Sequence, residues 1–413
     1  MEKLALHGGE KAKTVPFSKG KRFDGSELKY LQEALEQNDL FYWSGNQVKT
    51  LNKKFAEMYG TKYCTASSSG TAAIHVALGA VGVTEGDEVI TSPVTDVGSL
   101  IGILYQNAIP VFADIDPNTY NMDPKSIEAK ITDKTKAILV VHLAGNPADM
   151  DEIMAIAKKH NVKVVEDCAQ AYMCYYKGKL TGTFGDIGCF SLNNYKHISA
   201  GDGGLCIMND EELYWAALRF ADKNYDRRNG IPNRNIPYIA PNYRMNELTG
   251  AVGRAQLERV EWICEQRWQK GSKISAALEK IDGVTPPLVR EGNKSSYWFY
   301  MFRVEKELAT ADEFLEALKA EGVSGAKGYI PELVYEYDMF QNLTGYPGTH
   351  APFDSKYYGK EISYPKGLCP VAEETQERCI KIGMNEFYSD QDVDEIIHAI
   401  EKVAAYFNAR KQG

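Results

Sequence analysis

Short apolar runs alternate with helix-like stretches between residues 62 and 208. Seven of these runs are apolar on both faces, as expected for strands of a parallel sheet that helices cover. The candidate strands are Tyr63–Ala66, Glu88–Thr91, Pro110–Ala113, Ala137–His142, Val162–Glu166, Ile187–Leu192 and Gly204–Met208. Helical periodicity between them is found in Thr71–Val81, Gly98–Asn107, Ser126–Lys130 and Met150–His160. This alternation predicts an α/β domain with a mainly parallel seven-stranded sheet.

The pattern changes after about residue 245. Glu247–Lys280 has apolar positions near helical spacing and is expected to connect one domain to the next. The remaining segments are strand-like Trp298–Val304, helix-like Asp312–Glu321, an irregular stretch over 328–370, and an amphipathic helix over Asp390–Phe407. They predict a smaller α+β domain. We therefore divide the chain into an N-terminal segment (1–19), a large domain (20–255) and a small C-terminal domain (256–413).

Composition excludes several classes of protein. The chain has 413 residues with 44% hydrophobic and 25% charged side chains, which is ordinary for a soluble globular enzyme. Its 47 basic and 56 acidic residues give a net charge of −9, which argues against a general nucleic-acid binder. The N-terminal residues lack a signal-peptide pattern, and no apolar run is long enough to span a membrane.

The cysteine and histidine patterns narrow the choice further. The eight cysteines form no C-x-x-C pair and mostly lie in apolar runs, so we expect free, buried thiols in a reducing cytoplasm. The seven histidines show no metal-ligand spacing, so no metal site is expected.

Three groups of small and polar residues follow predicted strands, where open α/β sheets bind their ligands. Ser67–Ala72 opens a helix whose N–H groups could hold a phosphate, although an ordinary helix cap has the same pattern. Asp167 follows the apolar run 162–165 and could face the site or cap the next helix. Lys196 precedes the glycine turn 201–204, where burial could activate its amine, but a lone lysine is usually a surface residue.

The three groups together favour one chemistry. Pyridoxal phosphate requires a cradle for its phosphate, a carboxylate that keeps the pyridine nitrogen protonated, and a lysine that forms a Schiff base. The chain supplies Ser69-Gly70-Thr71, Asp167 and Lys196 in that order. The sequence therefore predicts a pyridoxal-phosphate protein.

The chain also resembles the DegT/StrS-type aminotransferases, fold type I pyridoxal-phosphate enzymes that aminate keto sugars or cyclitols. The resemblance covers roughly residues 41–387. Its motifs are Ser69–Thr71, Val141–Leu143 with Gly145, Glu166–Ala171, Gly182–Asp186, Cys189–Ser191, Lys196–His197 with Gly201–Gly204, Asn242–Met245 and Cys369–Glu373. Each motif alone is modest, whereas their order along the chain is highly specific.

The resemblance implies a role for each matching residue. Lys196 would form the Schiff base and move protons, Asp167 would pair with the pyridine nitrogen, and Gln170 would touch the ring hydroxyl. Asn242 would reach the phosphate of a neighbouring subunit, which implies a homodimer with shared active sites. The phosphate would be held by Ser69, Gly70, Thr71 and Ser191. Because position 196 is lysine, as in the aminotransferases and unlike the related sugar dehydratases, we expect His197 to be a packing residue.

One position departs from the family pattern. Asp96 stands where such enzymes usually place an aromatic ring over the cofactor, and a carboxylate cannot stack in that way. Either another residue, such as Tyr42 or Trp43, covers the ring, or the face is open and polar. We expect Asp96 to contact the substrate or the amino donor.

A basic stretch over residues 219–244 offers a second substrate contact. Its arginines could hold a phosphate or nucleotide diphosphate on a sugar, with Arg244 the best candidate, or they could form a solvated or subunit-contact face. The two interpretations stay open for most of these residues.

The resulting expectation is a cytoplasmic, homodimeric aminotransferase. It would move an amino group from glutamate or glutamine to a keto sugar, a nucleotide-linked keto sugar or a keto cyclitol by a ping-pong mechanism. The alternatives are a sugar dehydratase or eliminase with the same cofactor and, less favoured, a non-catalytic regulator on the same scaffold.

Overall fold

The seven predicted strands form one sheet in the computed structural model, which describes residues 2–411. The strands are β1 (Tyr63–Ser67), β2 (Glu88–Thr91), β3 (Ile109–Phe112), β4 (Thr135–Val141), β5 (Lys163–Asp167), β8 (Ile187–Ser191) and β9 (Gly204–Met208), and the short hairpin of β6 (Tyr175–Tyr176) and β7 (Lys179–Leu180) lies outside the sheet. Each of the seven strands of the sheet begins and ends within two residues of its predicted bounds, which confirms the strand predictions.

The strand order places the ends of distant segments next to one another. Across the sheet the order is β1-β9-β8-β5-β4-β2-β3. All neighbours pair in parallel except β9, which is antiparallel to both β1 and β8. The other six strands therefore point the same way, and their carboxyl ends form one edge. In open α/β sheets this edge is where ligands bind.

Helices cover both faces of the sheet and continue into the C-terminal half. Their bounds are α1 (Ser26–Glu36), α2 (Gln47–Tyr59), α3 (Gly70–Ala80), α4 (Gly98–Tyr105), α5 (Pro124–Lys130), α6 (Met150–His160), α7 (Glu211–Ala221), α8 (Glu247–Leu257), α9 (Val260–Leu278), α10 (Ala311–Ala320), α11 (Asp338–Gln341), α12 (Pro370–Arg378) and α13 (Asp390–Lys411). Short 3₁₀ turns lie at Ala5–His7, Leu143–Gly145 and Val334–Glu336. Among residues 2–411, no helix combines the length and apolar content needed to cross a bilayer.

The predicted long helix Glu247–Lys280 is wrong in one respect, because it breaks near Glu258 into α8 and α9. The two halves bury different faces. α8 contributes Ala251 and Ala255 to a small cluster with Tyr30 of α1, whereas α9 packs against α13. The apolar pattern alone did not reveal the break, since both halves keep helical spacing.

A second sheet lies in the C-terminal half, with strand order β10-β11-β13-β12. Its strands are β10 (Val284–Thr285), β11 (Phe299–Val304), β12 (Gly325–Lys327) and β13 (Cys379–Gly383). The irregular stretch 328–370 lies against the large sheet, where the ring of Phe112 contacts Tyr335 and Tyr364 at centroid distances of 5.5 Å. The predicted domain boundary at residue 255 remains a prediction.

Buried polar contacts fix the N-terminal segment to the last helix. The Lys13 ammonium lies 2.8 Å from Asp392 and 2.7 Å from Glu395. Glu321 accepts from the backbone N–H of Ala12 at 2.9 Å and from the Lys402 ammonium at 2.9 Å.

All eight cysteines are buried free thiols, as predicted.

Close packing around β8 predicts one sensitive position. A methyl group added at Gly188 would lie 2.3 Å from the carbonyl oxygen of Gly182, so the backbone would have to move. We expect Gly188→Ala to lower the free energy of unfolding by about 1–3 kcal/mol or more. Gly383→Ala is the matched control, because its nearest neighbour would be the Tyr388 hydroxyl at 3.5 Å. Equal denaturation midpoints for the two variants would contradict this prediction.

Candidate active site

A cleft of about 220 Å³ opens at the carboxyl edge of the large sheet. It is lined by Ser69, Gly70, Thr71, Ile74, Thr95, Asp96, Gly98, Ser99, Asp167, Ala169, Gln170, Ser191, Asn193, Lys196 and Asp202. The strand order brings these residues together from segments more than a hundred positions apart. Eight of the ten predicted site residues line this cleft, and the two that do not are Asn242 and Arg244.

The end of β1 and the start of α3 form an anion cradle. Ser69 caps the helix by accepting the N–H of Ala72 at 3.0 Å. The N–H groups of Gly70 and Thr71 begin the helix, where such groups have no intrahelical acceptor and the helix dipole favours an anion. A Cβ at Gly70 would lie 2.8 Å from the Ser191 hydroxyl, so glycine lets the two segments meet. A phosphate fits this end of the cleft.

Asp167 lies at the end of β5 with its carboxylate almost fully buried. One oxygen accepts from the Ser99 hydroxyl at 2.7 Å and the other from the N–H of Ala169 at 3.0 Å. Burial raises the pKa of this carboxyl, while the bonds from Ala169 and Ser99 and the charge of Lys196 act in the opposite direction. The carboxylate is therefore a fixed acceptor for a cationic N–H inside the cleft.

Lys196 lies beyond the end of β8, on the turn that returns to β9. Its backbone is held by a bond from its N–H to the Asn193 carbonyl (3.0 Å) and by the Arg22 guanidinium, which donates to its carbonyl at 2.8 Å. Burial lowers the pKa of the amine, and the charges of Asp167 and Asp96 oppose part of that effect. A lowered pKa makes an amine a better nucleophile near neutral pH.

Gln170 joins the large sheet to the C-terminal half. Its side-chain oxygen accepts from the N–H of Ala144 at 2.8 Å, and its amide donates to the Tyr329 hydroxyl at 3.0 Å. Both contacts orient the side chain toward the cleft that it lines.

Three contributors to the site were missed in the sequence. Ser99 bonds Asp167 and is itself bonded to Thr95 at 2.7 Å, so the two hydroxyls form a chain to the carboxylate. Tyr329 bonds Gln170. Thr95 and Ser99 are two polar residues four positions apart after a strand, and this pattern could have predicted their role. No local signal marks Tyr329, because it meets Gln170 only through tertiary packing.

Asp96 lines the cleft with an exposed side chain, and its predicted contact with the substrate remains a prediction. One of its oxygens accepts from the N–H of Gly98 at 2.8 Å. Neither Tyr42 nor Trp43 of the same chain lines the cleft. Tyr42 instead donates to Asp222 at 2.9 Å.

Asn242 and Arg244 lie outside the cleft of their own chain. Asn242 is exposed and pairs through its backbone with Asp222. Arg244 lies 2.9 Å from the buried carboxylate of Asp222, which also binds Arg227 at 2.7 Å. A single carboxylate therefore contacts both guanidinium groups. The roles of Asn242 and Arg244 remain predictions.

Two titratable neighbours of the site belong to the scaffold. Glu166 is fully buried and accepts from the N–H groups of Gly182, Phe184 and Gly185, each at 2.7 Å. It also lies 3.1 Å from His142. His197 is buried and bonds the Ser296 carbonyl at 3.0 Å through Nε2, which is consistent with a packing role.

The fold and the cleft together define an α/β enzyme with an anion cradle, a buried carboxylate and a desolvated lysine at one sheet edge. The sequence profile of the DegT/DnrJ/EryC1/StrS aminotransferase family matches residues 21–365, so the chain belongs to that family. The chain is accordingly an aminotransferase, and the predicted family and fold class are confirmed.

Named relatives extend over most of the chain. A putative L-glutamine:3-amino-2,3-dideoxy-scyllo-inosose aminotransferase of Streptoalloteichus tenebrarius is 32% identical and covers 97% of this chain and 97% of its own length. GDP-perosamine synthase of Caulobacter vibrioides is 35% identical over 75% of this chain and 83% of its own length. An aminotransferase structure from Psychrobacter cryohalolentis is 30% identical and superposes with a TM-score of 0.82, covering 95% of this chain and all of that one.

The contacts of Glu166 predict a stability defect rather than a catalytic one. In Glu166→Gln an amide NH₂ would face backbone N–H groups that now donate to the carboxylate. We expect the free energy of unfolding to fall by about 1–3 kcal/mol, measured by chemical denaturation at neutral pH. Surface Glu57→Gln is the control, since its side chain is 62% exposed.

The same carboxylate predicts a direction of pH dependence. Burial raises the pKa of Glu166, but the bonds from His142, Gly185 and Gly182 outweigh burial and leave it below the ordinary value. Its contribution to stability is therefore complete above the unfolded pKa of about 4.3 and is lost as the pH falls through the lower folded value. A Glu166→Gln defect that grows as the pH falls below about 4.3 would contradict this assignment.

Proposed function

We propose that this chain uses pyridoxal phosphate to move an amino group from glutamate or glutamine to a keto sugar or keto cyclitol. The single observation that carries the proposal is the convergence of the anion cradle, Asp167 and Lys196 in one cleft. The donor and the acceptor would occupy this cleft in turn, which makes the reaction ping-pong.

The residues present fit the cofactor. The free N–H groups at the start of α3 and the Ser191 hydroxyl suit a phosphate dianion. Gly70 lies close to Ser191, and a Cβ at position 70 would fill the space between them. Because glycine has no Cβ, this space remains open to a ligand. Asp167 is a buried acceptor with both oxygens oriented, as a protonated ring nitrogen requires, and Gln170 lies beside it on the same wall.

The chain's own groups have distinct tasks in this proposal. The bound cofactor supplies an electron sink next to the reacting nitrogen. Asp167 keeps a cationic ring nitrogen protonated by charge and hydrogen bonding. The Nζ atom of Lys196 takes a proton from one position of the substrate and returns it to another, and the pKa that burial lowers favours this role.

The acceptor class is inferred from the relatives and from the cleft. One relative is named for an amino-deoxy-inosose and another for GDP-perosamine, so cyclitols and nucleotide-linked sugars are both represented. Polar side chains dominate the lining of this cleft, which suits a hydroxylated ring. We assign Asp96 to the substrate, because one carboxylate oxygen is held by Gly98 and the side chain is exposed to the cleft.

A homodimer with shared sites is part of the proposal. Several apolar side chains between residues 231 and 239 are exposed in the single chain, among them Ile231 at 85% and Ile239 at 90%. These apolar residues lie just before Asn242 and Arg244 in the chain. A partner subunit that covers the apolar residues would therefore also lie close to Asn242 and Arg244. We propose that Asn242 reaches the phosphate of the partner's site, and that the enzyme acts in the cytoplasm, where its eight thiols stay reduced.

The cofactor assignment predicts which lysine is modified. Incubation with pyridoxal phosphate, reduction with borohydride and peptide mapping should place the cofactor on Lys196. Lys196→Arg should abolish this modification without loss of the fold. Lys381→Arg is the matched control, because burial also lowers the pKa of its amine, which donates to the Tyr329 carbonyl at 2.8 Å. Label on Lys381 but not on Lys196 would contradict the proposal.

The role of Asp96 predicts a selective kinetic defect. We expect Asp96→Asn to change at least one half-reaction about tenfold or more, because a charged contact is worth about 1.5–3 kcal/mol. Single-turnover absorbance changes with the amino donor and with the keto acceptor measure the two halves separately. If both rates match those of the unaltered enzyme, Asp96 has no part in substrate binding.

A further inference from the structure

The ε-amine of Lys196 lies against an aromatic face. Its nitrogen is 3.8 Å from the ring centroid of Trp298, the residue directly before β11 in the C-terminal half. This is the closest cation–π contact that Lys196 makes among the described residues. An indole is the most favourable aromatic partner for an ammonium, and it attracts the protonated amine far more strongly than the neutral one.

The indole is held in place at both ends. Its ring N–H donates to the Tyr195 carbonyl at 2.7 Å, next to the lysine itself. Its backbone N–H donates to the Ala144 carbonyl at 2.9 Å, and the N–H of Ser296 donates to the Gly145 carbonyl at the same distance. Trp298 is thus held through its ring at the lysine turn and through its backbone at the loop after β4.

This tie requires unusual backbone on both sides. Tyr297, the residue before Trp298, has φ of +40°, and Ala144 has φ of +58°. Such angles are costly for residues with a Cβ, and a bulky residue adopts them only where the surroundings enforce them. Next to Tyr297, the Arg267 guanidinium donates to the Trp298 carbonyl at 3.0 Å and to the buried Glu386 at 2.7 Å.

We propose that Trp298 is a positioning residue for Lys196. Its indole face holds the protonated amine and releases the amine once the proton has been transferred. The discrimination follows from the ring quadrupole, which attracts the cation and not the neutral amine. A lysine that moves protons must alternate between these two forms. Trp298 would therefore hold the protonated amine against its ring.

Other charged groups act on the same amine and must be separated from the indole. Asp167 and Asp96 face it from β5 and from the loop before α4, and both favour the ammonium. Asp202 lines the same cleft, and Arg22 bonds the Lys196 carbonyl. These groups remain unchanged when only Trp298 is substituted, so a shift in that variant reports the ring.

The test measures the protonation of Lys196 directly in the full-length protein. Competitive labelling with acetic anhydride over a range of pH, read by mass spectrometry of the Lys196 peptide, gives the apparent pKa of that amine, with exposed Lys62 as an internal reference. Trp298→Leu keeps apolar bulk and removes the ring, and it should lower this pKa by roughly 0.4 to 1.5. Trp298→Phe should lower it by less.

A matched control and a second variant keep the inference falsifiable. Trp262→Leu removes an indole that is 45% exposed and packs on Phe387, so it should leave the Lys196 value unchanged. If Trp298→Leu does not fold, Trp298→Phe carries the test alone. An unchanged or raised pKa in a folded Trp298 variant would overturn the inference.

The inference rests on the proposed function for its catalytic meaning, but labelling with acetic anhydride needs no cofactor. If the Lys196 pKa is lowered in Trp298 variants but the protein does not bind pyridoxal phosphate, the proposed function is contradicted and the lysine–indole contact is supported. If the cofactor binds normally but the pKa does not shift in the variants, the lysine–indole inference is contradicted and the proposed function is supported.

Discussion

The structure of the site depends on one buried carboxylate, that of Asp167 at the end of a central strand. An unpaired charge in this position would cost several kcal/mol, so the surrounding elements have to supply partners. Ser99 at the start of α4 and the N–H of Ala169 take up its two oxygens, and Lys196 supplies the nearby positive charge. Satisfying this one group therefore fixes the ends of β2, β5 and β8 relative to one another.

The neighbouring carboxylate shows how the same strand serves two purposes. Glu166 points to the opposite side of β5, as successive residues of a strand do, and three backbone N–H groups with His142 surround it. It holds the turn 182–185 and leaves no acceptor capacity for chemistry. Asp167 has one face toward the cleft, so adjacent acids separate into a structural and a functional group.

Much of the fold could be predicted from the sequence because its central strands are apolar on both faces. Seven strands and the helices between them follow from that pattern, and so does the location of Lys196 and Asp167 at one sheet edge. The break near Glu258 was not predictable, since α8 and α9 keep the same spacing while packing on different partners. Tyr329 and Trp298 were not predictable either, because only tertiary packing brings them to Gln170 and Lys196, respectively. The pairing of Arg244 with buried Asp222 was also not predictable, because the two residues are 22 positions apart in the sequence.

The central claim is that the cleft binds pyridoxal phosphate and accepts an amino group from an amino acid. The most direct measurement is the visible absorption spectrum of the purified protein with the cofactor, before and after addition of L-glutamate and, separately, L-glutamine. Our account predicts a yellow protein whose visible band is lost with at least one of the two donors. A protein that the cofactor cannot turn yellow would contradict the account at its centre.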